Sequence, residues 1–422
     1  MEIAKRMPLI SDGNYRLFWA GQGLSWLGSV MQSVAQGWLV WSLTGSPAHL
    51  ALTAVMLSLP VLLFGVLGGV SADRFDRRTL LIATQAGSIV PSLLLGLLVL
   101  CGAATTPAIM ALAFFQGALN AFDVPARQAL LAELVLREQL GHAVACNAVA
   151  FNATRLLGPA AAGCLIASCG AASCFFINAA SFLAGAVTLR FVRVPYRSVD
   201  RPVRRRPLSA AELREGMRFL TMHGEIAQIL TSVLLVGLLA IPFVSLLPVF
   251  ADSFAAGPRG LGTMSAVLGG GSLLAALWLA ATARLPQRRD DHLPAGILLP
   301  LALLLFALSR NYLLSLVALF TAGAAVVIFL ARVNRSLQQN SPDRLRGRVM
   351  GAYTLALLGA APIGSLLVGV IAACTGAPFA LTLTSSACAA CLALLRRGRR
   401  REGTASAPWS RTFVGSDCAR EW

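Results

Sequence analysis

The chain has 422 residues, of which 57% are hydrophobic and 13% charged, with a formal net charge of +17. A water-soluble domain carries about 25% charge, so that class is excluded, and a mean hydropathy of +0.72 makes lipid the solvent. The positive charge raises nucleic acid as a partner, but its distribution along the chain argues for membrane orientation instead, and no nucleic-acid partner is expected.

Residues 1–16 hold Glu2, Lys5, Arg6, Asp12 and Arg16 and no short apolar core, so no cleavable signal is expected and the first span directs insertion. A helix needs about 20 apolar residues to cross a bilayer, and such stretches recur about twelve times. The first six cover 17–43, 49–71, 79–102, 107–125, 143–168 and 171–192. The remainder cover 226–250, 260–282, 293–309, 312–332, 349–373 and 378–395. They are apolar throughout rather than alternating, which speaks against a barrel. The expected fold is an all-α membrane protein of two six-helix bundles, 1–193 and 226–397, with a linker at 194–225 and a basic tail at 398–422.

Along the first span Gln22, Ser25, Ser29, Gln32 or Ser33, and Gln36 share one face. After the second span comes GGVSADRFDRRTLL, residues 68–81, where two aspartates and three arginines interrupt the apolar sequence. On the fourth span Gln116, Asn120, Asp123 and Arg127 step by four, three and four. The fifth carries Asn147, Asn152 and Arg155, followed by LLGPAAAG at 156–163, where Pro159 removes a backbone hydrogen bond and Gly158 and Gly163 thin the helix face. Such polar stripes serve either as glue between helices or as the wall of a wet cavity, and their length favours the cavity.

The stretch from Arg193 to Glu225 is dense in Pro and Arg, and a short amphipathic helix starting near Ser209 is expected to lie on the inner surface. Arginines crowd alternate connections: Arg74, Arg77 and Arg78; Arg127 and Arg137; the linker; Arg284, Arg288 and Arg289; and Arg332 to Arg348. The other connections hold only Arg259 and Arg310. Positive loops stay cytoplasmic, so both termini and the linker are expected inside. The halves also echo each other, since PARQALLAELVLREQL at 125–140 and LARVNRSLQQNSPDRL at 330–345 align at an offset of 205 (332 − 127), as internal duplication predicts.

GGVSADRFDRR resembles the major facilitator superfamily loop signature Gly-x-Leu-x-Asp-Arg-x-Gly-Arg-Arg, matched by Gly69, Asp73, Arg74, Arg77 and Arg78, with Ser71 and Asp76 departing from it. WLVWSLTGSPAHLAL, DVPARQALLAELV, RLLGPAAAG and DRLRGRVMGAY extend the similarity over most of the chain. Together they resemble the bacterial enterobactin exporter-like and macrolide-efflux-like permeases. The resemblance implies a gating latch of Gly69, Asp73, Arg77 and Asp123, in which Asp73 faces the eleventh span near Gly347 and Arg77 pairs with Asp123. A loop that serves topology alone is the alternative. It also implies that Gly158, Pro159 and Gly163 form the helix-bend motif associated with antiporters, a packing kink being the alternative.

The expected substrate-binding residues are Gln32, Gln36, Gln116, Asn120, Asn152, Arg155 and Tyr353, facing a mostly apolar second half. That asymmetry suits an amphiphilic organic solute, siderophore-like or drug-like. An arginine within a span costs about 2.5 to 3.5 kcal/mol on insertion scales, so Arg155 is expected to touch an anionic or catechol-bearing solute, with pairing to Asn120 or Asp123, or snorkelling, as the alternative. Every acidic residue lies in a loop, a tail or near a span end, leaving Asp123 and Asp252 as the candidates for proton coupling. Cys388 and Cys391 form a CxxC within an apolar helix, read as packing. With no nucleotide, metal or nucleophile motif, an enzyme is not expected, nor a cofactor or metal. The expectation is a monomeric secondary transporter of the cytoplasmic membrane, exporting its solute and perhaps exchanging it for protons, with an importer as the rival and a non-transporting sensor as the remote one.

Overall fold

The computed structural model describes residues 12–195, 224–282, 292–342 and 345–403. The amphipathic linker helix expected near Ser209 and the tail beyond 403 lie outside these residues. Among the described residues there are twelve long helices: α1 (Gly13–Thr44), α2 (Pro47–Arg74), α3 (Arg77–Leu100), α4 (Thr106–Leu134), α5 (Leu140–Cys169), α6 (Ala171–Phe191), α7 (Gly224–Ser253), α8 (Gly257–Thr282), α9 (Leu293–Leu308), α10 (Tyr312–Asn340), α11 (Arg346–Thr375) and α12 (Ala377–Gly403). Ten are long and apolar enough to cross a membrane. The exceptions have physical causes. α1 has 32 residues but carries the polar stripe, and α9 has 16, about 24 Å of helix against a hydrocarbon core of about 30 Å.

Local chemistry sets the ends. Asp12 caps α1 by accepting from the Asn14 amide, and the helix stops at Gly45, whose φ of 57° is left-handed. Asp76, where the loop signature has glycine, caps α3 by accepting from the Thr79 amide at 2.8 Å. A single glycine, Gly170 with φ 79°, turns α5 into α6, and Gly376 with φ 87° turns α11 into α12. The seventh span is not the uniform helix expected. After Leu235 it widens into a π turn over Val236–Ala240, tightens to a 3₁₀ turn over Ile241–Leu246 and resumes as α-helix at Leu247. Pro242 and Pro248 lie in this stretch, and each withholds an amide from the ladder.

Helices α1–α6 pack among themselves, chiefly α2 on α4, α3 on α6 and α1 on α5 and α6. Helices α7–α12 do the same through α8 on α10 and α9 on α10 and α12. The two groups join along α5–α8 and α2–α11. These seams need glycine. A Cβ on Gly163 would lie 2.9 Å from the Gly262 Cα, one on Gly262 would lie 2.6 Å from the Pro159 carbonyl oxygen, and one on Gly269 would collide with the Arg155 carbonyl. Across α2–α11, Gly369 accommodates Ala51.

All these approaches lie between mid-span and the end bearing the short turns at Gly45, Gly170 and Gly376. Toward the arginine-rich end the groups part. Below the last contact, of Gly359 with Leu62, side chains on the facing helices are open, Val66 being 77% and Leu355 62% exposed. A Cβ on Gly69, Gly141, Gly347 or Gly351 would meet nothing within 4 Å. The glycine-mediated approaches between the two groups thus gather in the short-turn half of the molecule.

Gly269→Ala places a methyl against the Arg155 carbonyl, and overpacking of this kind costs about 1–3 kcal/mol. Because that cost falls only on the closed seam, spin labels at Ser46 and Arg310 should show a longer distance distribution in the variant. An unchanged distribution would mean that this seam does not set the closure.

Candidate functional site

Where the two groups meet, a cavity of about 380 Å³ is enclosed by α1, α2, the broken stretch of α7, α8 and α11. Its polar lining is neutral. Thr53, Ser58 and Ser245 each donate to a carbonyl of their own helix, at 2.8 Å. Ser33, Gln36, Ser265 and Ser365 also line it and have no hydrogen-bond partner among the described residues. Apolar surface supplies the rest, from Leu57, Ile241, Pro242 and Leu261 among others. Of these four free groups Gln36 was legible in advance. Ser365 was not, because a lone serine in an apolar helix carries no periodic signal.

Most of the polar stripe on α1 does not face this cavity. The Asn178 amide donates to Gln32 Oε1 at 2.7 Å and to Ser92 at 3.4 Å. Ser25 donates to Gln85 Oε1 at 2.7 Å. Gln116 donates to Ser88 at 3.1 Å and to Asn120 at 3.2 Å. Gln32 and Gln116 therefore join α1 to α6 and α4 to α3, Asn120 accepts from Gln116 on its own helix, and, contrary to the expectation, none of the three lines the cavity. The reason is that a buried amide in lipid surroundings must find a partner on a neighbouring helix. Asn152 donates to the Ala148 carbonyl of its own helix at 2.8 Å. Tyr353 lines a separate polar hollow of about 520 Å³ with Asn334, Arg335 and Gln338.

Arg155 is half-buried. Leu157, Ala160 and Cys164 on the far side of α5 are exposed, which leaves Arg155 on the side shared with Phe151 and Pro159, between α1 and α8. It makes no hydrogen bond or ion pair among the described residues, and Asn120 and Asp123 are engaged elsewhere. Gly269 stands at the level of Arg155, and Ser265, one helical turn nearer the short-turn end, lines the cavity. The Arg155 backbone thus stands about one helical turn from the cavity lining, and Arg155 is not among the lining residues.

The latch contains a corrected pair. Arg77 Nη1 bonds Glu133 at 2.6 Å, and its Nε reaches the Ala72 carbonyl at 3.2 Å. Asp123 pairs instead with Arg127 one turn along α4, and accepts from Thr84 at 3.1 Å and Gln85 at 3.3 Å. Distance explains it, since Asp123 stands 11 residues (134 − 123) before the end of α4, about 16 Å away along the axis, whereas Glu133 is in the last turn beside Arg77. Gly69 is open, and Gly68 is the residue packed on the Ala121 carbonyl of α4. Asp73 is exposed at the arginine-rich end. Gly158 packs on Val30 of α1, and Pro159 and Gly163 lie in the α5–α8 seam. Asp252 is exposed at the short-turn end.

Residues 5–418 match a family described as transmembrane secretion effectors. The chain is 27% identical to the multidrug efflux pump Tap of Mycolicibacterium fortuitum over 83% of this chain and 87% of that protein. It is 23% identical to macrolide efflux protein A of Streptococcus pyogenes over 84% of this chain and 88% of that one. Among solved structures it superposes with a TM-score of 0.71 and 14% identity on a bacterial homologue of the human lysosomal transporter Spinster, in an inward-facing and unoccupied conformation, over 95% of this chain and all of that one.

A double-mutant cycle checks the corrected pair. In detergent, Arg77→Ala and Glu133→Ala should each lower thermal stability and together show a coupling of about 0.5–1 kcal/mol. Arg77→Ala with Asp123→Asn should be additive within about 0.5 kcal/mol. Coupling to Asp123 and none to Glu133 would restore the original pairing.

Proposed function

The chain belongs to the transmembrane secretion effector family of major facilitator transporters, and on that premise we propose that it exports an amphiphilic organic solute, drug-like or siderophore-like, across the cytoplasmic membrane. The observation that carries this reading is the cavity between the two groups, in their short-turn half, with access to it taken to be from the arginine-rich end. The arginine-rich end is cytoplasmic by the positive-inside rule, with both termini there, so the conformation is the loading state of an exporter. The efflux named for Tap and for macrolide efflux protein A supports the direction.

Alternating access follows from rocking two six-helix bundles, 1–193 and 226–397, about the cavity. Duplication is supported by glycines that do equivalent work at an offset of 206. Gly117 packs on the α2 carbonyl of Leu57 and Gly323 on the α8 carbonyl of Leu268 (323 − 117). Gly163 serves α5–α8 and Gly369 serves α2–α11 (369 − 163), and Gly170 and Gly376 make the left-handed turns (376 − 170). The latch of Asp73, Arg77 and Glu133 acts when the open end closes and brings α2 to α11.

In the cavity, Ser33 and Gln36 of the first bundle and Ser265 and Ser365 of the second hydrogen-bond the uncharged body of the solute. Arg155 receives its anionic or catechol group at the entrance. Asp123 is the proton carrier for antiport, because its carboxylate is the buried one among the described residues, whereas Asp252 is exposed. A single chain encloses the cavity, and a monomer suffices.

Inverted vesicles with an acid interior should take up at least one of ethidium, erythromycin and a catecholate siderophore, and collapse of the gradient should abolish it. Ser33→Ala or Ser365→Ala should weaken transport about fivefold, the equivalent of one hydrogen bond. Arg155→Ala should reduce siderophore movement tenfold or more, in line with about 1.5–3 kcal/mol for a charged hydrogen bond, and Arg155→Lys should retain part of it. Uptake by right-side-out vesicles alone would reverse the direction. Single cysteines at Ser46 and Thr105 should react with an impermeant reagent applied outside cells, and one at His142 should not.

A further inference from the structure

Six buried polar atoms without partners occur on three helices of the first group: Gln116 Oε1 of α4 is one, and the other five belong to Gln22, Arg127 and Asn147. Gln22 of α1 is 2% exposed, and neither its amide oxygen nor its amide nitrogen is bonded. Arg127 of α4 spends one terminal nitrogen on Asp123, leaving Nε and Nη1 buried and unpartnered. Asn147 Oδ1 of α5 is likewise buried and unpartnered.

Helical register brings them to one level. Trp26 lies beneath the Arg127 guanidinium, 5.1 Å from it, and meets Phe151 edge-on at 5.7 Å. Gln22 is one turn before Trp26 on α1, and Asn147 is one turn before Phe151 on α5. Trp19 Nε1 donates to the Cys146 carbonyl at 3.5 Å, which fixes α1 against α5 so that Gln22 falls beside Asn147. On its own helix Arg127 stands one turn from Asp123, on the side toward the open end.

A dry site of this kind would cost about 1–3 kcal/mol for each unmet group, comparable in sum with the stability of a whole domain. Something hydrogen-bonds them, and the mixture of atoms says what. An anion would satisfy Arg127 but leave Asn147 Oδ1 and Gln22 Oε1 unmet. A cation would be repelled by Arg127. Water both donates and accepts, and buried water takes two to four such partners.

We propose that Gln22, Asn147 and the free edge of Arg127 hold a short file of water that delivers protons from the arginine-rich side to Asp123. The proposal rests on the reading of Asp123 as proton carrier and names its route and three positioning residues. The step is the transfer of one proton from hydronium to a carboxylate oxygen of Asp123, leaving water behind. Neutral Asp123 then no longer holds Arg127 by charge, so the guanidinium over Trp26 is released as the proton arrives. Arg127 is the charged group facing Asp123. α1 and α3 present Gln22, Ser25, Thr84 and Gln85, none ionisable, and α2 presents the backbone at Gly68. Arg155 of α5 lies toward α8, and the inner-end charges Asp73, Arg74, Arg77 and Glu133 lie two or more turns away.

Two measurements test the file. In a cryo-EM structure of the full chain at a resolution that shows ordered solvent, density for water is expected between Gln22, Asn147 and Arg127. Its absence, or anomalous signal from bromide at that position, overturns the proposal. In proteoliposomes, Gln22→Leu with Asn147→Leu should slow gradient-driven ethidium movement about tenfold, the equivalent of one lost hydrogen-bonded link. Gradient-free ethidium exchange should be unchanged and the solvent deuterium effect on the driven rate increased. Gln22→Glu, which keeps a polar link, should restore most of the driven rate, and Gln22→Leu alone serves if the pair does not fold. Driven transport unaffected by the leucines also overturns the file. If the unmodified chain moves no probe, the export reading fails, while the solvent density still decides the inference.

Discussion

Inside a bilayer no solvent stands ready to hydrogen-bond a polar group, and that constraint organises this molecule. Amides and hydroxyls carried into the first six helices turn to carbonyls of their own helix or to side chains on a neighbour. The chains Ser25–Gln85–Asp123–Thr84 and Gln32–Asn178–Ser92 are the result. Each interhelical bond adds only about 0.6 kcal/mol, so their main effect is to fix register. A slip of one residue would leave several buried groups unmet at once. Asp123 is the hub of this set, because a carboxylate accepts several donors, here Thr84, Gln85 and Arg127.

The second group of helices meets the same constraint by omission. At the offset of 206, Gln116, Asn120 and Asp123 correspond to Ala322, Val326 and Phe329 (322 − 116, 326 − 120, 329 − 123). What stands as a polar network on α4 is apolar core on α10, with Ala322 and Phe329 fully buried. Glycine lets α8 and α10 approach through Gly271 and Gly323 to the facing carbonyls, as Gly68 and Gly117 do for α2 and α4. The first group thus adds directional side-chain bonds to close packing, whereas α10 relies on packing at the corresponding positions.

Closure at one end depends on the same small residues. Gly163, Gly262, Gly269 and Gly369 permit close contact across the two groups, and among the described glycines none makes a comparable contact at the arginine-rich end. The break in α7 adds to the asymmetry, since Pro242 and Pro248 disrupt the helix where it borders the cavity. Irregular backbone at membrane depth is tolerated where it lines such a space.

The sequence by itself determined the solvent, the helical class and the approximate bounds of nearly every span, because apolar length is a one-dimensional property that lipid reads directly. It also disclosed the loop signature, the glycines of α5 and the anomaly of Arg155. What it left open was partnership. Gln32 and Gln36 lie on one stripe of α1, yet Gln32 meets Asn178 and Gln36 meets the cavity, and only the position of α6 separates them. Arg77 had two carboxylates on α4 within its reach in sequence, and the axial distance between Asp123 and Glu133 chose the second. The free hydroxyl of Ser365 and the stranded amide of Gln22 gave no sign in the chain, because whether a polar group is satisfied depends on atoms more than a hundred residues away. The tertiary structure decided those pairings, since a hydrogen bond is set by distance and direction in space and not by order along the chain.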